Sequence, residues 1–274
     1  FAAALAQAIK LEKAAKIPLY TSLASFTWVL HDYLLTVEDE ARYVWPGPWN
    51  VGKLLFFWVR YYTVAVELFD VAQIHSFATF QPSLTTCVVM DAMIRVVGAL
   101  SLWMIEIVMQ LRIYALFRCS KKVALFNAIL FVISIGGFMY ILIHNALRRA
   151  AVIAQAKSLP IPGCPVVHTG IEWAQWVPAT AYEGVLFAWA LYKSLRSIAL
   201  RHGDKESTMP QTLYSIVLQD NLLYFFGIAC ILVFNNLMVV SVTHIPWFSY
   251  GPFHAATGIM TSRMLIHLRK AVLE

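Results

Sequence analysis

The segment Val123–Leu147, VALFNAILFVISIGGFMYILIHNAL, contains no Asp, Glu, Lys or Arg. A helix needs about 20 mainly apolar residues to cross the hydrocarbon core of a bilayer, and this segment is long enough. Because the hydrocarbon offers no water to the backbone, a helix that satisfies its own hydrogen bonds is favoured there. The segment therefore predicts a membrane-spanning helix.

The composition of the whole chain extends this prediction. Of its 274 residues, 60% are hydrophobic and only 13% are charged, whereas a soluble domain has about 25% charged residues. A chain this poor in charge could not cover a surface that faces water. The net charge of +6 follows the predicted loops, so we expect the lipid bilayer as a partner and no nucleic acid.

Seven apolar stretches divide the chain, and segments containing Pro and Gly separate several of them. The predicted fold is all-α: a polytopic membrane protein with a bundle of seven transmembrane helices in one domain over residues 17–270. An amphipathic segment at residues 1–16 precedes it. The predicted spans cover about residues 17–36, 51–75, 84–117, 123–147, 171–200, 213–243 and 247–268.

The distribution of Lys and Arg gives this bundle a direction. Thirteen of these residues fall in or beside the segments on the C-terminal side of the membrane, and six fall on the opposite side. Cytoplasmic segments carry the excess of positive charge in membrane proteins. We predict an outside N-terminus and a cytoplasmic C-terminus, in the plasma membrane or an endomembrane. The two ends of the bundle are called outer and inner accordingly.

Two of the four cysteines are predicted on the outer side. Cys87 falls at the start of the third span, and Cys164 falls in the segment between the fourth and fifth spans. A disulfide is permitted in an oxidising compartment, so we predict a Cys87–Cys164 bridge, with two unpaired thiols as the alternative. Cys119 and Cys230 are interpreted as thiols, and palmitoylation of Cys119 is an alternative.

A signature runs from the end of the first span into the second, and it comprises Asp32–Thr36, Glu40, Val44–Trp45, Trp49, Gly52–Phe56 and Arg60–Tyr61. It resembles a family of multipass proteins that is abundant in mushrooms and known only as a domain of unknown function. Two later segments resemble the same family, Leu111–Leu116 and Ser262–Leu265. The resemblance implies a fungal membrane protein with seven helices, and it supplies no activity.

The order of these features also resembles that of a seven-helix receptor. An outside N-terminus and two outer cysteines, one at the third span and one before the fifth, are the shared features. The third span ends in Gln110–Tyr114 rather than in the acidic–Arg–aromatic triplet of rhodopsin-type receptors. The last span has no mid-span Lys, which argues against a retinal protein with a Schiff base.

Ionisable side chains in the outer halves of the spans are expected to face the bundle interior, because exposure to hydrocarbon is costly. We predict that they form an outward-facing polar pocket that binds a ligand through Glu67, Asp70, Asp91, Arg95, Glu183, Asn235 and His254. In an enzyme the catalytic candidates would be Glu67, Asp70, Asp91 and Glu183. The aromatic walls would be Trp173, Trp176, Tyr182, Trp247, Phe248 and Tyr250.

Each of these residues also has a structural interpretation. Asp91 and Arg95 are four residues apart and form a natural ion pair on one helix. Glu183 has no partner within a turn of its own helix, so it needs one from elsewhere. The other structural roles are a neutral Glu67 or its ion pair with Arg60 or Arg95, an interior position for His254, and bonds between helices for Asn235 and Asn236.

A second polar set lies at the inner ends of the spans: His31, Asp32, Glu38–Glu40, Glu106, Arg112, Asp220, Asn221 and Arg263. We interpret this set as a charge lattice that holds the helix ends together. A site for a cytosolic partner at the basic inner loops is the alternative. The family resemblance falls mostly on this set and fits either interpretation.

Two functions fit these features. One is a receptor-like protein that binds a small apolar or amphipathic ligand in the outer pocket and shifts its inner helix ends. The other is an intramembrane enzyme of the terpene cyclase or isomerase type, in which a buried carboxyl group protonates an alkene or epoxide. A transporter is less favoured, because no span carries a continuous line of ionisable residues. No cofactor or metal is predicted, since no His pair has the spacing of a metal motif.

Overall fold

The computed structural model describes residues 2–79, 83–156, 172–203, 213–238 and 250–273. These residues are helical and form no β-strand, so the predicted all-α class is confirmed. The described part contains seven α-helices: α1 (Ala2–Asp39), α2 (Val51–Thr79), α3 (Leu84–Leu116), α4 (Lys121–Ala156), α5 (Val177–Gly203), α6 (Leu213–Leu237) and α7 (Tyr250–Leu273).

Some helix boundaries differ from the predicted ones. Helix α1 runs unbroken from the predicted amphipathic segment through Pro18 into the first span. A 3₁₀ turn at Glu172–Trp176 precedes α5, so the α-helix begins at Val177 rather than at residue 171. The predicted boundary between the sixth and seventh spans lies outside the described residues.

A π-helical turn follows α1. It covers Glu40–Val44 and ends with a hydrogen bond of 3.1 Å, which the N–H of Trp45 donates to the carbonyl oxygen of Glu40. A π-helical turn holds one more residue than an α-helical turn. The residues after the turn are therefore rotated relative to a continuous α-helix.

Two described helical segments are long and apolar enough to cross a membrane. They are Thr85–Leu116, with a mean hydropathy of 1.8, and Lys121–Arg148, with a mean hydropathy of 2.2. Helix α2 carries four charged residues, which lower its hydropathy although their side chains are buried: Lys53, Arg60, Glu67 and Asp70.

Helix α7 lies at the centre of the described helices. It packs against α1, α2, α3 and α6, whereas α4 packs mainly against α3 and α5. The largest apolar cluster joins α2, α3, α5, α6 and α7 around fully buried side chains such as Leu102, Met109, Leu186 and Ile228. This arrangement places α7 between polar groups at both ends of the bundle.

Glycines allow α7 to approach its neighbours closely. A Cβ atom at Gly98 of α3 would overlap the hydroxyl group of Tyr250 and would lie 2.8 Å from Nε2 of His254. A Cβ atom at Gly258 would overlap the side chain of Thr63 on α2. Small residues at such contacts are typical of helix packing in membranes, where close backbone approach contributes to association.

Candidate functional site

Four charged side chains from α1, the π-helical turn, α2 and α7 form a group that we call the inner clasp: Asp32, Glu40, Arg60 and Arg263. All of them except Arg263 are buried. The Asp32 carboxylate lies 2.8 Å from Nη1 of Arg60 and 2.6 Å from Nε of Arg263. The Oε2 atom of Glu40 lies 3.4 Å from Nε of Arg60. Formal charges in the clasp balance, which offsets part of the cost of removing them from water.

Polar neighbours add further hydrogen bonds to the clasp. Arg60 donates to the hydroxyl of Thr36 and, over 3.4 Å, to the carbonyl of Tyr33. Tyr61 and Trp45 donate to Oε1 of Glu40 over 2.9 and 3.0 Å. These contacts tie α1, the π-helical turn and α2 into one polar unit.

The chain between the π-helical turn and α2 is held by Lys53. Its ammonium group donates to the carbonyl oxygens of Trp45 and Gly47, at 2.7 Å each, and lies 4.8 Å from the ring centre of Trp49. Asn50 accepts hydrogen bonds from the N–H of Lys53 and from the guanidinium group of Arg269 on α7. Both ends of this segment are thus tied to helices.

The predicted charge lattice is therefore present in a smaller form. Asp32, Glu40 and Arg263 belong to the clasp, whereas Arg112 donates to the carbonyl of Met264 at a separate point on α7. Glu106 is buried elsewhere between α3 and α5. His31 and Glu38 are exposed, and the side chains of Asp220 and Asn221 lie outside the described ones.

A second buried group lies where α2, α3 and α7 meet near the outer end, and we call it the outer group: Glu67, Asp70, Tyr250 and His254. Tyr250 donates its hydroxyl to the carbonyl of Ile94 over 2.6 Å, and its ring centre lies 4.4 Å from that of His254. Asp70 and Glu67 are close enough to Tyr250 to act on it electrostatically.

The outer group has unused hydrogen-bonding capacity. Within the described part of the chain, both carboxylate oxygens of Glu67, one of Asp70 and both ring nitrogens of His254 have no well-aligned hydrogen-bond partner, although the backbone N–H of Ala255 on α7 is close enough to Glu67 to interact with its carboxylate. Glu67 and His254 are fully buried. The expected pairing of Glu67 with Arg60 or Arg95 is wrong for Arg60, whose carboxylate partners are Asp32 and Glu40.

The predicted ion pair on α3 is confirmed and adjoins the outer group. Nη2 of Arg95 lies 3.3 Å from Oδ1 of Asp91. Nη1 of Arg95 also donates to Oε1 of Gln175 over 3.2 Å, which joins α3 to the 3₁₀ turn before α5. Gln175 is buried, so this contact fixes the depth at which α5 begins.

Glu183 lies apart from the outer group. It is buried next to Glu106 of α3, close enough for the two carboxyl groups to interact electrostatically. Glu106 is eleven residues beyond Arg95 on α3, which corresponds to about 16 Å along the helix axis. No carboxylate oxygen of Glu106 or Glu183 has a hydrogen-bond partner among the described residues.

Two adjacent asparagines, Asn235 and Asn236, lie near the end of α6. Asn236 donates to the hydroxyl of Thr180, which confirms a bond between helices for this residue. Asn235 is buried beside it. The sequence-predicted pocket residues thus fall into two sets: Glu67, Asp70, Asp91, Arg95 and His254 come together, while Glu183 and Asn235 lie with α5 and α6.

The aromatic side chains predicted to line the pocket are only partly described. Trp176, Tyr182 and Tyr250 are buried, and Trp176 and Tyr182 belong to the main apolar cluster. The ring of Trp176 contacts that of Phe253 at 5.4 Å between centres. Trp173, Trp247 and Phe248 lie outside the described side chains.

A cleft opens at the inner end between α1 and α7. Its volume is about 290 Å³, and we call it the inner cleft; its lining residues are Leu35, Thr36, Asp39, Arg263, Ile266 and His267. The sequence contained a signal for it, because Thr36 and Asp39 on α1 and Arg263 and His267 on α7 have helical spacing. Sequence reasoning placed no cleft there.

The remaining predictions concern the cysteines and the absence of a metal site. Cys119 and Cys230 are free and exposed. Cys87 is buried, and Cys164 lies outside the described residues, so the Cys87–Cys164 bridge stays a prediction. In the described part of the chain, no group of three His, Cys, Asp or Glu side chains could hold a metal ion.

Comparison with known proteins found a family whose matched segment overlaps the inner clasp. Residues 20–65 match a family of unknown function, DUF6533. No curated protein and no solved structure matches the chain. The matched segment contains three of the four clasp residues, Asp32, Glu40 and Arg60, and also Lys53.

Proposed function

We propose that this chain is a fungal receptor-like protein with seven membrane-spanning helices, which binds a small, partly apolar ligand at its outer group. The proposal has two parts: the membrane topology and the ligand site. Each part is supported by a different set of residues and is tested separately.

The surface of α4 supports the membrane topology. Its apolar window is only 22% buried inside the bundle, and large apolar side chains project outward along it: Ile129, Val132, Ile133, Tyr140, Ile143 and Leu147. Soluble proteins rarely expose a continuous apolar surface of this kind. The charged residues of α2 are instead buried in the interior, as charges are in membrane bundles.

The cysteines provide a test of this topology. A membrane-impermeant maleimide applied to intact cells should leave Cys119 unlabelled, because this thiol lies at the inner end, and permeabilisation should expose it. A Cys119→Ser variant is the control for the site of labelling. Labelling of Cys119 from outside would contradict the orientation. Intact mass should also rise by about 2 Da on reduction if the Cys87–Cys164 bridge forms.

The observation that carries the ligand site is the carboxylate of Glu67, which is fully buried and has no side-chain hydrogen-bond partner among the described residues. Buried polar groups normally have hydrogen-bond partners, and an exception calls for an explanation. A ligand with a hydrogen-bond donor, such as an amine with an apolar tail, would satisfy Glu67 and Asp70. His254 offers a further donor or acceptor on α7, so ligand binding would engage both α2 and α7.

Helix α7 offers a connection from this site to the clasp. His254 belongs to the outer group and Arg263 to the clasp, and nine residues, or about 14 Å of helix, separate them. A ligand that shifted α7 would change the contact of Arg263 with Asp32. This connection is part of the proposal and accounts for a receptor whose inner helix ends respond to an outer ligand.

The ligand site is tested by comparing two probes with the same charge and alkyl chain, of which only one has N–H donors. Octylamine should raise the melting temperature of the chain in lipid nanodiscs by about 5 °C at a hundredfold excess over its Kd. Octyltrimethylammonium, which has the same charge and no N–H group, should not. The Glu67→Gln variant should lose most of the shift, because a neutral amide accepts more weakly from an ammonium group.

The control for this variant is Glu38→Gln, which makes the same change at an exposed residue of α1. It should keep the full response to octylamine. The ligand site would be contradicted if the two probes stabilised the wild type equally. It would also be contradicted if octylamine stabilised the Glu67→Gln variant as much as it stabilises the wild type.

The carboxyl pair of Glu106 and Glu183 favours a second candidate function. Two adjacent buried carboxyl groups form their most stable state when they share a proton, and aromatic rings such as Tyr182 can stabilise a carbocation. An intramembrane cyclase or isomerase could use that proton. The functions differ in one observable: an enzyme would form a product from a polyene and lose turnover in Glu183→Gln, whereas a receptor would form none.

A further inference from the structure

We infer that the inner cleft binds the headgroup of a phosphatidylethanolamine from the inner leaflet. The inference rests on the membrane topology proposed above and adds a site at the opposite end of the bundle from the outer group. Its cavity of about 290 Å³ combines the cation of Arg263, the anion of Asp39 and the apolar side chains of Leu35 and Ile266.

Arg263 has the free donors that a phosphate group needs. Its described hydrogen bond and ion pair use only Nε, which contacts Asp32 at 2.6 Å. Its side chain is 42% exposed, in contrast to the buried Arg60. The two terminal nitrogens of a guanidinium group can donate to a phosphate in a bidentate arrangement. Arg263 can therefore hold a phosphate while it remains bound to the clasp.

Asp39 supplies the complementary charge. It ends α1 and lines the cleft, and within the described residues no hydrogen bond or ion pair of its carboxylate is found. The clasp is neutral in formal charge, so Asp39 is a local excess of negative charge beside it. A primary ammonium group can donate to Asp39, whereas the quaternary group of choline has no N–H to donate. A ligand with both charges matches this cleft better than an anion.

The surface next to the cleft fits an acyl chain. Exposed leucines form a stripe on the neighbouring face of α1, about 100° around the helix from Leu35 of the cleft lining, and run towards the middle of the bundle: Leu34, Leu30 and Leu23. The spacings of four and seven residues place them on one face of the helix. They cover about 16 Å of helix, close to half the thickness of a hydrocarbon core of about 30 Å. A single leaflet therefore matches the length of this stripe.

The inference is tested with the purified full chain by native mass spectrometry, using dioleoylphosphatidylethanolamine and dioleoylphosphatidylcholine as probes. The wild type should bind the ethanolamine lipid about tenfold more tightly than the choline lipid, the factor expected for one charge-assisted hydrogen bond. Asp39→Asn should remove this preference. Glu38→Gln, its exposed neighbour with the same change of charge, should keep it.

Each remaining outcome has a defined meaning. The site would be overturned if the wild type bound the two lipids equally well. It would also be overturned if the Asp39→Asn variant preferred the ethanolamine lipid as strongly as the wild type does. Displacement of the lipid by an equimolar amount of soluble phosphoethanolamine would overturn the assignment to a lipid and favour a free metabolite. Release of the chain from membranes by alkaline carbonate would instead overturn the topology, whereas a retained chain without lipid preference would overturn only the cleft site.

Discussion

Replacement of Arg60 by Ala should lower the free energy of unfolding by about 3–5 kcal/mol. The change removes the cation that contacts both Asp32 and Glu40 and leaves their buried carboxylates without it. Such a loss is a large share of a typical stability of about 5–15 kcal/mol. The fraction of chain that elutes as a single species after detergent extraction, and its melting temperature, measure the effect.

Two control variants separate the loss of the clasp contacts from the loss of a positive charge. Arg42→Ala removes the same charge at an exposed position of the π-helical turn and should change the melting temperature little. Arg60→Lys keeps the charge and loses the planar guanidinium group, so its stability should lie between those of the wild type and Arg60→Ala. If Arg60→Ala were as stable as Arg42→Ala, the clasp would not stabilise the fold.

Replacement of Gly98 by Val should be almost as damaging, for a steric reason. Its side chain would occupy the space of the Tyr250 hydroxyl and approach His254. The rigid ring of Tyr250 would have to move and give up its 2.6 Å hydrogen bond to Ile94. Overpacking and the lost bond together should lower stability by about 3 kcal/mol, which a thermal unfolding curve would detect.

The matched control for this variant is Gly136→Val on α4. Apart from its chain neighbours and the nearby backbone of its own helix, no atom lies within 4 Å of the position where its Cβ atom would stand, so the new side chain should meet no other helix. We expect its melting temperature to stay close to that of the wild type. A loss at Gly136 equal to that at Gly98 would show that helix propensity, rather than the contact with α7, determines the effect.

The positions of the helices could be predicted from the sequence because long apolar stretches are interrupted by breakers. The partners of the buried charges could not. The sequence predicts that Arg60 lies inside a span, where Glu67 is a possible partner, but Arg60 contacts Asp32 and Glu40. That choice depends on the register between α1 and α2, and no local pattern in the sequence shows the π-helical turn that contributes to it.

The depth of Glu183 illustrates a related difficulty. The sequence predicted a helix from about residue 171, whereas α5 begins at Val177 after the 3₁₀ turn. Gln175 contacts Arg95 near the outer group, and Glu183 is eight residues further along, which is up to about 12 Å deeper. An apolar sequence marks the limits of a helix poorly, because residues inside and just outside the span have similar hydropathy.

The π-helical turn at Glu40–Val44 has a consequence for how this segment can evolve. Its additional residue sets the rotation of the residues that follow, among them Trp45, which donates to Oε1 of Glu40 in the clasp. Loss of one residue there would rotate the following side chains by about 100°. Homologues that keep the clasp should therefore tolerate exchanged residues on the exposed face of this segment more readily than a change in its length.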